Sequence, residues 1–355
     1  MDILSFLEEA STCHGPSGQE RPVALWLAER FRPFTDSVTI DPLFNVIACK
    51  KATKATGHPP VKIMLCAHQD EIALMVTDIL PDGALRIGQV GGVDPRILPA
   101  STVAVHATGA EGGTILGVVG AKPPHLLSAE DRQKNYLRDE LFVDIGFSAE
   151  KARELVNIGD LITLEGRAVA LLNGHVAGKT MDDRSCIAIM LDAAERLQAM
   201  SHEADVYFVC SSQEEVGGHG AKAAAYTIDP DLAIVLDVTH AEIPSSSPDT
   251  CVPLGAPALT YGPFIQHKLL DKMKETAKKH RITINDEHAN GATWTDTDSI
   301  QIAREGIPCV LIGLPLKYMH TTVELLDTHV IEECGRLAAH FIQSIQEGWD
   351  EGLWS

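Results

Sequence analysis

The chain has 355 residues, 45% hydrophobic and 22% charged, and no apolar run approaches the roughly 18 to 20 residues that a membrane helix needs. A formal charge of −20 at pH 7 disfavours nucleic acid and anionic membrane as partners, because both would repel it. Cations, metals and peptides remain open, and the length fits two domains of ordinary size.

The first residues, "MDILSFLEEASTCHG", carry acids where a secretion signal carries Lys or Arg, so a cytoplasmic protein is expected. Cys13, Cys49, Cys66, Cys186, Cys210, Cys251, Cys309 and Cys334 are scattered without a CxxC pair and read as buried free thiols.

In chain order, residues 2–10 and 19–32 read as helices, because Val23, Leu25, Trp26, Leu27 and Phe31 follow one side of a 3.6-residue period. Strands follow at 45–50 and 61–68; the second, "VKIMLCAH", is apolar almost throughout, as an inner strand covered on both faces should be. From residue 72 to 166 short β-like pieces alternate with Gly and Pro, with helices only at "SAEKARELVN" and "SAEDRQKNY". That texture predicts a small β-rich barrel or sandwich. After residue 175 strand and helix take turns: a long helix from "DDRSCIAIML", then "EADVYFVCSS", "GHGAKAAAYTI", "LAIVLDVTH", "GPFIQHKLLDKMKETAKKH", "GIPCVLIGLP" and a last helix near the end. The expected fold is α/β, a mostly parallel sheet sandwiched by helices, with the β-rich piece inserted after His68. The predicted domains are 1–71 plus 167–355, and 72–166.

Open α/β sheets place functional groups just past the carboxyl ends of strands. Here those ends lead to His68 and Asp70, to Glu214 and Glu215, to Asp237 and to His320, while Asp182 and Asp183 stand at the start of the long helix. Taken singly, a strand-end His is usually a hydrogen-bonded structural residue, and an Asp before a helix is usually an N-cap. Asp237 in "IVLDVT" is harder to set aside, because a carboxylate in so apolar a strand needs a positive partner. Imidazoles and carboxylates converging on one sheet edge suit Zn, Co or Mn, and ligands from five separate places suit two ions better than one. Adjacent residues on an extended chain point to opposite sides, so Glu214 and Glu215 can divide the work between metal and water.

In this order "AHQDEIALMV", "GGVDPRILP", "GAKPPHLL", "LFVDIG", "MDDR", "EEVGGHGA", "DVTHA", "TDTDSIQ" and "KYMHTTVE" span nearly the whole chain, which resembles the dinuclear-metal aminopeptidases that include glutamyl aminopeptidase and the tetrahedral, TET-type particles. The resemblance implies an aminopeptidase acting on short peptides, with two divalent metal ions, Zn or Co first and Mn next. It implies His68 and Asp237 on one ion, Glu215 and His320 on the other, and Asp182 bridging. Asp70 would hold the far nitrogen of His68, Glu214 would be the general base, and the Asp182–Asp183 peptide would be cis. A zinc-peptidase-like catalytic domain, a β-barrel dimerisation domain and dimers assembling to a dodecamer are implied as well.

Gln69, Ala73, Ser185, Cys186 and His219 depart from the family pattern, and His219 reads as a helix-start residue facing solvent. Two rivals are weaker. A glycoside hydrolase of the endoglucanase type needs carboxyl groups facing each other roughly 5 to 10 Å apart, which adjacent Glu214 and Glu215 do not easily supply, and aromatics total only 5%. A non-catalytic metal-stabilised assembly has no use for Glu214.

Overall fold

The computed structural model describes residues 1–110, 112–247 and 249–353. Two helices open the chain, α1 (Ile3–Thr12) and α2 (Arg21–Phe31). Asp2 caps the first by accepting the Ser5 N–H at 3.2 Å. Then come β1 (Ser37–Ile40), β2 (Val46–Lys50) and β3 (Val61–His68), whose last six residues are all buried.

The chain next leaves the sheet for a closed barrel of β4 (Ala73–Ile79), β5 (Leu85–Val90), β6 (Thr102–Ala107), β7 (Gly113–Ala121), β8 (Leu141–Asp144) and β9 (Leu161–Leu164). All its pairings are antiparallel, and it encloses its own apolar core around Leu74, Ile87, Val105, Val143 and Ile162. One helix, α3 (Ala149–Leu155), lies before β9 and is capped by Ser148. "SAEDRQKNY" is not helical beyond a single 3₁₀ turn at Asp131–Gln133, because it has no apolar stripe to bury and stands almost wholly in solvent.

Short strands β10 (Val169–Ala170) and β11 (His175–Gly178) return the chain to α4 (Met181–Leu197), in which every residue from Met181 to Leu191 is buried. The order continues β12 (Ala204–Ser211), α5 (His219–Ile228), β13 (Leu232–His240), β14 (Ala258–Tyr261), α6 (His267–His280), β15 (Asn285–His288), α7 (Thr297–Ile300), β16 (Cys309–Leu316), β17 (Glu324–Asp327) and α8 (Thr328–Ser344).

The large sheet runs β1-β2-β12-β3-β13-β16-β14-β15. Its centre, β12, β3, β13 and β16, is parallel, while β1, β2 and the β14–β16 pairing are antiparallel. Helix α4 lies on β3 and β13 with α8 beside it, while α5 covers β12 and α7 packs on β16. Burial on both faces explains why the inner strands read as unbroken apolar runs. The four parallel strands therefore end at one edge, and the site forms there.

Candidate metal centre

Five of the predicted residues meet at that edge. His68 ends β3, Asp237 lies in β13, Asp182 opens α4, Glu215 follows β12 and His320 follows β16. They form two groups, His68 with Asp182 and Asp237, and Asp182 with Glu215 and His320; within each group the ligand atoms lie within 4.8 Å of one another. The two groups share Asp182. Its Oδ1 stands 3.0 Å from His68 Nε2, and its Oδ2 stands 3.2 Å from His320 Nε2. Glu215 Oε1 reaches the same His320 nitrogen at 3.4 Å.

Both rings are oriented by main-chain oxygens. His68 Nδ1–H donates to the Asp70 carbonyl at 3.1 Å, and His320 Nδ1–H donates to the Gly92 carbonyl at 2.9 Å. A carbonyl can only accept, so each proton sits on Nδ1 and leaves Nε2 aimed at Asp182. Gly92 comes from the barrel side, and a Cβ there would lie 2.8 Å from the His320 ring. The barrel thus closes one wall of the site.

The Asp70 carboxylate lies 3.5 Å from His68 Nδ1, farther than its own carbonyl. Its shorter contacts accept from Ser17 Oγ at 2.6 Å, Glu214 N–H at 3.1 Å and Glu215 N–H at 3.3 Å. It therefore pins the loop that carries both glutamates. That loop is not the extended chain expected from its sequence. The strand ends at Ser211, Gln213 takes φ +57°, and residues 214–217 form a turn, because the chain must reverse into α5. Glu214 and Glu215 still diverge: Glu214 Oε2 stands 3.9 Å from His68 Nε2, while Glu215 faces His320.

Neither Asp182 nor Asp183 caps a helix. The peptide between them is cis, both are out of helical geometry, and Asp183 accepts the His68 N–H at 3.3 Å. His219 is the first residue of α5 and is exposed, and Gln69 is buried, donating to the Phe44 and Cys210 carbonyls.

The donor set fits divalent cations, because acids outnumber bases here. Burial pushes the Asp237 carboxyl well above its ordinary range, with Asp183 adding to the push and His68 opposing it. Among the described residues its one hydrogen-bond donor is the Val238 N–H. Burial likewise pushes Glu214 up to about 10, against the pull of His68 and with Asp237, Asp296 and Asp70 adding. Two buried cations, Lys179 and Arg184, are committed to Glu71 at 2.5 and 3.3 Å. Uncompensated buried carboxylates of this kind are costly unless paired or bound to metal.

Sequence reasoning passed over several residues. Glu324 accepts the Asp182 and His320 N–H groups at 3.2 and 2.8 Å, and Asp296 accepts from Ser211 Oγ. Both lie in motifs already noted, "TTVE" and "TDTDSIQ", so the signal was present without a role. Glu287, on the wall of the adjoining cavity of about 630 Å³, sits in a polar edge strand that carries no signal.

Known proteins bear on this geometry. The model of the M42 glutamyl aminopeptidase family matches residues 45–337. A lysyl aminopeptidase of Pyrococcus furiosus is 38% identical over 315 residues, 88% of each chain. The TET aminopeptidase of the marine sediment archaeon Thaumarchaeota archaeon SCGC AB-539-E09 superposes with a TM-score of 0.91 at 30% identity, covering 99% of this chain and 100% of that one. The TET1 peptidase of Pyrococcus horikoshii, which can assemble into a tetrahedron or a large octahedral shell, gives 0.83 at 28% identity over 97% and 100%. Fold and sequence are thus shared with aminopeptidases over most of the chain, and the chain belongs to the M42 glutamyl aminopeptidase family.

Proposed function

We propose that the protein removes N-terminal residues from short peptides at a centre of two divalent ions, Zn or Co first and Mn next. The observation that carries this reading is the division of Asp182, one oxygen toward His68 and the other toward His320. His68 and Asp237 would hold one ion, Glu215 and His320 the second, and Asp182 both. Such ions would polarise the scissile carbonyl and acidify the attacking water.

Glu214 takes the proton of that water and returns it to the leaving amine. It must be ionised to do so, and the two ions, when bound, would supply the positive charge that opposes the burial pushing it up to about 10. Asp70 keeps Glu214 in place through the main chain, and the Asp70 and Gly92 carbonyls keep the two imidazoles turned inward. We further propose that residues 72–166 serve as a dimerisation domain of a catalytic unit formed by 1–71 and 167–355. Dimers would then assemble to a dodecamer, a shell that admits short peptides. Among the described residues no helix is long and apolar enough to cross a membrane. Free thiols at all eight cysteines, six of them buried, favour the reducing cytoplasm.

A glycoside hydrolase is not favoured. The matching family is one of aminopeptidases, and among the described residues Trp294 is the one Phe, Tyr or Trp ring on the cavity wall. The test is turnover of aminoacyl-p-nitroanilides by full-length protein after chelation and re-addition of Zn, Co or Mn, beside an N-acetylated control. Metal-dependent release that spares the blocked substrate is expected. Silence across the panel, or equal turnover of the blocked substrate, would sink the reading.

A further inference from the structure

We propose that the cavity beside the ligand cluster selects peptides whose first residue is basic, Lys or Arg, through the Glu287 carboxylate. This deepens the aminopeptidase reading and rests on it.

Glu287 lies on β15 and lines the same cavity as His68, Asp182, Asp237 and His320. Both of its oxygens are anchored. Thr239 Oγ1 donates to Oε1, and Thr260 Oγ1 donates to Oε2 at 2.6 Å. Thr260 is its register partner across β14 and β15, so backbone pairing and side-chain contact hold the same position. Thr239 stands two residues beyond Asp237 on β13. Residues i and i+2 share one face of a strand and are about 7 Å apart, so Thr239 sets Glu287 one strand step from a proposed ligand. Gly313, opposite Asp237 on β16, keeps that step open to Thr239: a Cβ there would lie 2.9 Å from the Thr239 methyl group.

Glu287 meets no cation of its own. Among the described residues no Lys, Arg or His lies within 4.0 Å of it as an ion pair, and no Lys or Arg lines the cavity. The other acids near the ligand groups, Glu214, Glu215, Asp182 and Asp237, face the imidazoles or one another. Asp298 is held by more donors, accepting the Thr293 and Trp294 N–H groups, both at 3.0 Å, and the Thr293 hydroxyl at 2.6 Å. Each Glu287 oxygen accepts one hydroxyl and retains a lone pair, so the carboxylate can take an ammonium or guanidinium without losing its anchors. The four-carbon stem of Lys suits a charge set one strand step from the reacting end. Val238, Leu311 and Met319 offer apolar wall along the way. An acidic first residue would be repelled.

A purely structural role, tying β13, β14 and β15 together, predicts no dependence on substrate charge. The experiment compares kcat/KM of the metal-loaded, full-length protein for the p-nitroanilides of Lys, Arg, norleucine and Glu. Norleucine keeps the lysine stem and lacks its charge. The native protein is expected to favour Lys over norleucine by about 10- to 100-fold, the worth of one charge-assisted hydrogen bond, and Glu287→Gln to bring that ratio near one. Native turnover of norleucine or Glu equal to or faster than Lys would overturn the proposal even if the variant failed to fold. So would a Glu287→Gln variant that lowers Lys and norleucine alike. Inactivity on all four substrates would overturn the aminopeptidase reading and this proposal with it.

Discussion

The Glu214 N–H donates to the Asp70 carboxylate at 3.1 Å, and the side chain of Glu214 takes no part in that hold. The neighbouring Glu215 N–H donates to the second Asp70 oxygen at 3.3 Å, so one buried acid fixes the loop that presents two others. Because the loop is held by its main chain, the Glu214 side chain can be altered without moving it.

Glu214→Gln is therefore expected to leave metal binding unchanged while turnover falls by roughly 10²- to 10⁴-fold, the usual share of a positioned base. Metal content by elemental analysis and kcat on an unblocked substrate check the two halves separately. Normal turnover in the variant would remove Glu214 from the chemistry.

Gly92→Ala places a methyl group 2.8 Å from His320. The ring must turn away from Asp182 and Glu215, which is expected to weaken metal at the His320 group and to cost roughly 10² in kcat, as misplacements near 1 Å do. The residue lies past the end of β5, outside the barrel core, so the melting temperature of the metal-free protein should change little. Metal titration and calorimetry of the same preparation distinguish this from simple misfolding.

Glu71 receives both Lys179 and Arg184 in a fully buried group, and Arg184 also donates to the Ala10 and Gln69 carbonyls at 2.6 and 3.0 Å. Glu71→Gln leaves two buried cations facing a neutral amide. A loss of about 3 to 5 kcal/mol is expected, as when one partner of a buried pair is removed. Urea unfolding of the metal-free protein measures it, and a change under about 1 kcal/mol would show that the group is not energetically coupled.

His106 on β6 packs edge-on against His14 at 4.8 Å, with its Nε2 3.0 Å from Thr163 Oγ1. Burial, with His14 and Lys179 adding and Glu71 and Glu165 opposing, pushes it down to about 4 from 6.5. Between those values the unfolded chain binds the proton and the folded chain does not. Its contribution to stability is therefore complete above pH 6.5 and is lost as pH falls toward 4. His106→Gln should flatten that acid limb of the melting temperature, and a limb of unchanged slope would assign the acid sensitivity to other groups.

Much of the candidate site was legible in the sequence because every candidate but Asp182, which opens α4, stands in or just past a strand that reads as buried on both faces. "VKIMLCAH" and "LAIVLDVTH" matched β3 and β13 closely, and polar residues ending such runs stand out against their surroundings. The barrel was legible as texture, short strands punctuated by Gly and Pro, although its closure was not. By contrast β1, β14 and β15 were missed. They are short outer strands of mixed or polar composition, such as "NDEH", whose pairing owes little to an apolar pattern.

The sequence by itself determined the order of the inner strands and the long helices, the inserted β-rich piece, and which imidazoles and carboxylates stand near strand ends, because burial imposes a period that residues along the chain must obey. Only the tertiary structure decided that Asp182 faces both histidines, that Asp70 holds the glutamate loop by its main chain, that Gly92 comes from the barrel to orient His320, and that Glu287 stands on the cavity wall. Those contacts join residues up to 228 positions apart, and their geometry depends on sheet register and on the docking of the barrel, which no local pattern encodes.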